Sequence, residues 1–174
     1  NALLKIIEEP NEKIFFFLIH NNEERILPTL KSRCLIFKIN LTFAESLNIA
    51  NLILNQDIFE LINYDLVSYY NTPGDLIRLI EFANEKKINL KEYSLKSILI
   101  LLIDNGYYKK NKFVKSLIIN FIELYFLKEY KKSKTKNSFL NIYQSFIDRI
   151  YNTEKFNLDE ESLFIEFKSK LLNE

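Results

Sequence analysis

The sequence predicts a mainly α-helical protein that begins with a small parallel α/β segment. Up to residue 40, apolar runs of strand length alternate with short helical patterns, an order typical of a parallel sheet. From residue 41 onward, apolar residues recur at a spacing of three or four, which indicates amphipathic helices. We therefore expect a two-stranded part over residues 1–40, a three-helix bundle over 41–90 and a second helical bundle over 91–174.

The first forty residues are predicted to alternate helix and strand. Residues 1–9 have apolar positions at helical spacing, and Pro10 ends that pattern. Continuous apolar runs follow at 14–19 (IFFFLI) and 34–39 (CLIFKI), as expected of strands that are covered on both faces. A short helix over 23–31 connects them.

Three helices are predicted between residues 42 and 87, because capping residues mark their starts. The second of them is expected to continue to about Tyr69. In the third, Pro73 falls at the first helical position, where its missing N–H costs no hydrogen bond. The pairs of capping residues are Thr42 with Glu45, Asp57 with Glu60, and Thr72 with Asp75.

Four further helices are predicted, at about 94–104, 111–131, 137–152 and 159–172. The first is expected to stop at Asn105 and Gly106. Because the apolar residues of the others keep a spacing of three or four, these helices are interpreted as a second bundle. We interpret the lysine-rich stretch KEYKKSKTK, at 128–136, as a solvated loop rather than a DNA-contacting patch.

Composition places the chain among globular, non-membrane proteins. Of its 174 residues, 48% are hydrophobic and 27% are charged. The net charge of +1 gives no electrostatic footprint for nucleic acid, and the apolar runs are shorter than the roughly 20 residues that cross a bilayer. A single cysteine agrees with a reducing compartment, so a cytoplasmic location is expected. Because the chain contains no methionine, it is expected to be either processed or a fragment, and we interpret it as a fragment.

Several kinds of site are not expected. A phosphate-binding P-loop needs two glycines with four residues between them, whereas Gly74 and Gly106 lie far apart. Cys34 and His20 are the only residues of their kinds, so neither a zinc site nor a catalytic triad has a recognisable pattern. We therefore predict no metal and no cofactor.

Arg33 follows Ser32 at the point where a short predicted helix meets a predicted strand. A guanidinium at such a corner suits bidentate contact with phosphate on another molecule. From spacing alone, a surface arginine paired with a neighbouring carboxylate is the favoured interpretation.

The stretch NALLKIIEEP, followed by an apolar strand, a short helix containing LPT and then SRC, resembles the second half of the AAA+ module of bacterial clamp-loader subunits. The resemblance covers residues 1 to about 40. It implies that this part is the remnant of an AAA+ domain, that residues 41–90 are its three-helix lid, and that residues 91–174 are a helical collar through which subunits assemble.

The resemblance also implies a site. In that family SRC carries an arginine finger that reaches the ATP of the adjacent subunit, a role that falls here on Arg33, framed by Ser32 and Cys34. The sensor position at the end of the preceding strand falls on Asn21 or its neighbour His20.

Members that hydrolyse ATP carry a second sensor arginine at the start of the third lid helix, where NTPGDLIRLI places Gly74. This resembles the delta-prime type of DNA polymerase III subunit, which contributes an arginine finger to the adjacent subunit without hydrolysing ATP itself. The implied partners are the other loader subunits through the collar, and the sliding clamp and primed DNA through the assembly. Arg78, one turn further on, leaves open a shifted sensor and hence a gamma/tau-type ATPase. A structural helical scaffold without a catalytic role is the other alternative.

Overall fold

The structure is a computed structural model, which describes residues 13–20, 26–132, 136–156 and 158–169. Contacts divide the chain into two compact units, Asn1–Asn40 and Leu41–Glu174. The predicted further division near residue 90 stays a prediction. Within the described residues, every helix is too short or too polar to span a lipid bilayer. The first predicted helix, at 1–9, lies outside the described residues.

In the described part of the first unit there is one helix, α1, Pro28–Lys31. The sequence predicts a longer helix over 23–31, of which residues 23–25 lie outside the described residues. Leu27 already has an extended ψ of 133°, because the residue before a proline is disfavoured in the helical region. The described residues therefore form only the last turn of the predicted helix.

The segments 14–20 and 35–40 form no strand in the described residues, so the prediction of strands over 14–19 and 34–39 is corrected. A strand exists only through backbone hydrogen bonds to a neighbouring strand. An apolar run indicates that a segment favours burial, but it does not show that a neighbouring strand is present to form those hydrogen bonds. The apolar side chains are exposed instead, as for Phe17 at 87%. The mainly α-helical part of the predicted fold class is confirmed.

The second unit contains seven α-helices within the described residues: α2 (Phe43–Leu54), α3 (Ile58–Leu61), α4 (Pro73–Lys86), α5 (Leu95–Asp104), α6 (Lys112–Lys132), α7 (Lys136–Phe156) and α8 (Glu160–Phe167). Short 3₁₀ helices at Tyr64–Leu66 and Tyr107–Lys109 lie between them.

Helices α2 and α4 begin with the predicted capping boxes. At α2, the Thr42 hydroxyl accepts from the N–H of Glu45 at 3.3 Å, and the Glu45 carboxylate accepts from the N–H of Thr42 at 2.7 Å. At α4, Thr72 and Asp75 repeat this exchange, at 3.2 Å in both directions. Each box satisfies two backbone donors that the first turn cannot pair internally.

Helix α3 has a single turn and is far shorter than predicted. Asp57 caps its start as expected, but Glu60 accepts a hydrogen bond from Gln56 at 3.1 Å and forms no capping box with Asp57. The chain then leaves the helix, because the N–H of Asn63 donates to the distant Leu90 carbonyl at 3.1 Å. This tertiary hydrogen bond redirects a segment whose local pattern is helical.

Helices α5 to α8 follow the predictions closely. Helix α5 stops before Gly106, whose φ of 60° lies in the left-handed region that favours glycine. Asn111 caps α6 by accepting from two N–H groups of its first turn, at 3.0 and 3.3 Å. Helix α7 is longer than the predicted 137–152. Residues beyond 169 in the last predicted helix lie outside the described residues.

One core extends through the second unit from α2 to α8. Where α6, α7 and α8 meet, the ring of Phe126 in α6 lies 5.3 Å from Tyr143, 5.8 Å from Phe146 and 5.9 Å from Phe167, measured between centroids. Such tilted aromatic contacts add to the stabilisation from burial alone. The apolar stripes predicted for the last three helices therefore meet in this core.

Ion pairs join α8 to the elements around it. Lys168 lies just past the end of α8. The pairs are Lys109 with Glu161 at 2.8 Å, Arg149 with Glu166 at 2.6 Å, Lys115 with Glu160, and Lys168 with Asp104.

Candidate functional site

The candidate site is the turn that follows α1, where the chain reads Ser32, Arg33, Cys34. The N–H of Ser32 donates to the Pro28 carbonyl at 3.0 Å, and the N–H of Arg33 donates to the Leu30 carbonyl at 3.1 Å. These hydrogen bonds tighten the end of the helix. Arg33 therefore lies directly beyond the last helical turn, and both Arg33 and Ser32 are exposed.

The side chains of this turn bond back to the helix. Nη1 of Arg33 donates to the Thr29 carbonyl at 2.8 Å and to Oγ of Ser32 at 3.3 Å. Oγ of Ser32 donates to the same Thr29 carbonyl at 3.1 Å. Carbonyls at a helix C-terminus lack internal partners and carry the negative end of the helix dipole, so a guanidinium is stabilised there.

Cys34 is a free thiol and is half-buried. Its N–H donates to the Lys31 carbonyl at 3.4 Å. Cys34 therefore helps to close the turn around Arg33 through its backbone.

The structure describes only one of the two residues predicted for the sensor position. Asn21 lies outside the described residues, and its neighbour His20 is exposed. The suggestion that either residue acts as a sensor stays a prediction.

Gly74 lies in the first turn of α4, and its glycine identity is not required by the fold. A Cβ built there would have its nearest neighbour, Oγ1 of Thr72, at 3.9 Å, an ordinary contact distance. Arg78 follows four residues later, on the same face of the helix. Its side chain is exposed and forms no hydrogen bond or ion pair with any described residue.

Asp65 connects distant segments of the chain, which the sequence analysis did not predict. Its carboxylate accepts from the N–H of Leu95 at 2.6 Å and from the ammonium of Lys128. Burial raises the pKa of Asp65, but the hydrogen bonds from Lys128 and Leu95 lower it by more, so the pKa lies below its ordinary value. No local signal points to these partners, because they are 30 and 63 residues away.

A groove of about 600 Å³ in the second unit includes Phe82 and Tyr107. The Glu161 carboxylate on its wall is already paired with Lys109. In the part of the chain that the structure describes, no group of three or more His, Cys, Asp or Glu side chains could hold a metal ion. We assign no ligand to this groove.

Comparison with known proteins gives matches to subunits of DNA polymerase III. Residues 1–42 match the family model described as "DNA polymerase III, delta subunit". A stretch of 49 residues is 55% identical to the subunit delta' of Buchnera aphidicola subsp. Schizaphis graminum, covering 28% of this chain and 15% of that protein. A stretch of 99 residues is 36% identical to the subunit gamma of the same organism, covering 52% of this chain and 27% of that protein.

A further gamma subunit, from Buchnera aphidicola subsp. Acyrthosiphon pisum, is 33% identical over 98 residues, covering 56% of this chain and 19% of that protein. The chain therefore spans less than a third of the length of each of these relatives. No solved structure gives a significant match. The predicted resemblance is confirmed: the chain is similar to clamp-loader subunits of the delta-prime and gamma type.

Proposed function

We propose that this chain, which is similar to the delta' and gamma subunits of DNA polymerase III, is part of a clamp-loader subunit of the delta-prime type. In this role Arg33 extends in trans toward ATP held by a neighbouring subunit, and the chain itself hydrolyses no ATP. The other loader subunits are its direct partners. The sliding clamp and primed DNA are reached through the assembly.

The observation that supports this proposal most directly is the exposed Arg33 in the turn after α1. It lies inside the residues that match the family model, at the point where SRC follows the short helix. A planar guanidinium at an exposed turn has the donors needed to stabilise charge on a transferring phosphoryl group.

The delta-prime assignment rests on Gly74. Because the backbone has room for a side chain at this position, glycine is not imposed by packing. A member that uses a second sensor arginine would place it here. The absence of a side chain at this point of α4 therefore favours a subunit that does not hydrolyse ATP.

On this proposal, residues 1–40 belong to an AAA+ domain, 41–90 form the lid and 91–174 form the collar. The boundary between the two compact units at residue 40 supports the first division. The aromatic core around Phe126 supports a collar bundle built from α6, α7 and α8.

The test is Arg33→Ala in the complete subunit, assembled into a loader whose other arginine fingers are disabled. ATP hydrolysis is measured at saturating ATP with clamp and primed DNA. We expect a large loss, since fingers supplied in trans are worth about 10³-fold or more, and unchanged assembly on size-exclusion chromatography. Hydrolysis at the wild-type rate would contradict the proposal.

The gamma-type ATPase is a second candidate, because the longer of the matches are to gamma subunits. Arg78 provides the matched variant. If the chain is of the delta-prime type, Arg78→Ala leaves hydrolysis by the loader unchanged, and calorimetry detects no binding of ATP to this chain at millimolar nucleotide. ATP binding that Arg78→Ala abolishes would favour the gamma type.

A structural scaffold is the third alternative. It predicts that neither Arg33→Ala nor Arg78→Ala changes hydrolysis. The same pair of variants therefore separates the three roles.

A further inference from the structure

Two donors share one acceptor at the end of α1. The Thr29 carbonyl accepts from Oγ of Ser32 at 3.1 Å and from Nη1 of Arg33 at 2.8 Å. Nη1 also donates to Oγ of Ser32 at 3.3 Å. The three groups form a closed triangle of hydrogen bonds, in which the serine hydroxyl is both donor and acceptor.

The triangle restrains the position of a long side chain. An exposed arginine has four rotatable side-chain bonds and loses much rotamer freedom when it is held in place. Attraction to the C-terminal carbonyls of α1 draws the cation toward the helix end but leaves its direction loosely defined. The hydroxyl of Ser32 adds a second acceptor beside the first, and two acceptors fix the position of Nη1 better than one.

We propose that Ser32 is a positioning residue for Arg33. Its hydroxyl holds Nη1 at the end of α1, so the guanidinium is already localised when the phosphates of the neighbouring subunit's ATP approach. Ser32 itself contacts no nucleotide. This inference rests on the proposed role of Arg33, and it assigns to the serine of SRC a task separate from that of the arginine.

The test uses the complete subunit in the assembled loader with its other fingers disabled. Removing the hydroxyl with Ser32→Ala is expected to lower kcat for ATP hydrolysis about three- to tenfold, the effect of losing one hydrogen bond. The KM for ATP is expected to stay unchanged, because ATP is bound by the neighbouring subunit. Ser32→Thr retains the hydroxyl and is expected to keep a nearly wild-type kcat.

A matched pair covers the case in which Ser32→Ala fails to assemble. Ser32→Thr and Ser32→Val have the same shape and differ only in the hydroxyl, so kcat should differ between them by the same three- to tenfold. Equal rates for the two would overturn the inference.

The double variant separates positioning from a merely structural role. In an Arg33→Ala background, Ser32→Ala is expected to cause no further loss, because nothing remains to be positioned. A further loss there would show that the hydroxyl acts independently and would overturn the inference. If Arg33→Ala slows hydrolysis and Ser32→Ala does not, this inference is wrong, whereas the proposed function still holds. If Arg33→Ala has no effect, the proposed function fails with it.

Discussion

The ammonium of Lys128 donates to both the carboxylate and the backbone carbonyl of Asp65, although the two residues are 63 positions apart. This contact crosses residue 90, where the sequence predicts a boundary between two helical parts. The same carboxylate caps α5 through the N–H of Leu95. A single acidic side chain therefore joins the start of α5 and the end of α6 to the 3₁₀ helix at Tyr64–Leu66.

Removing the cation of this contact should destabilise the second unit. We expect Lys128→Met to lower the free energy of unfolding by about 1 kcal/mol, a value that allows for the partial exposure of both side chains. Urea denaturation of the chain, followed by circular dichroism, measures the change. Lys96→Met, at an exposed position of α5, is the matched control and should cost less than about 0.5 kcal/mol.

The stabilisation from Asp65 should depend on pH. Its pKa in the folded chain lies below the ordinary value of 3.8, so the unfolded chain binds the proton more readily. The contribution of the carboxylate is therefore complete above about pH 5 and is lost as the pH falls through 3.8 toward the folded pKa. The difference in unfolding free energy between wild type and Asp65→Asn should shrink over this interval. A difference that stays constant from pH 7 to pH 3 would contradict this assignment.

Gly74 and Gly106 should respond in opposite ways to alanine. Gly74 is in a helix with room for a Cβ, so Gly74→Ala should raise stability by about 0.5 kcal/mol through lower backbone entropy of the unfolded chain. Gly106 has a φ of 60°, and Gly106→Ala should lower stability by about 1 kcal/mol. Thermal unfolding of both variants tests the contrast, and a loss of stability at Gly74 would show that packing does require glycine there.

Amide hydrogen exchange should differ sharply between the two units. The segment Phe15 to Leu18 is exposed and forms no strand in the described residues, whereas Leu117 to Phe121 lies in the middle of α6 with Ile118 fully buried. We expect rapid exchange in the first segment and strong protection in the second. Equal protection would show that the first unit is as stably folded as the helical one.

Local signals account for most of the helices that the sequence predicted correctly. Thr42 and Thr72 cap helices through contacts within three residues, and Gly106 ends one through its own backbone conformation. Such features depend only on neighbours in the sequence.

The predictions that failed depend on distant partners. Helix α3 ends early because Asn63 bonds to Leu90, and the predicted strands lack the neighbour that would pair with them in the described residues. The candidate site, too, was predicted only in part. The family resemblance pointed to Arg33, but the shared contact of Ser32 and Arg33 with Thr29 is a matter of geometry that no sequence pattern contains.

The ion pairs around α8 have a consequence for the direction in which that helix packs. Its first turn carries Glu160 and Glu161 opposite lysines, and Lys168 beyond its last turn lies opposite Asp104. A helix packed in the reverse direction would bring Glu160 and Glu161 toward Asp104 and Lys168 toward the lysines. Like charges in contact oppose such an arrangement. The ion pairs therefore favour the observed direction of α8 over the reverse one, and the aromatic core stabilises the packed helix.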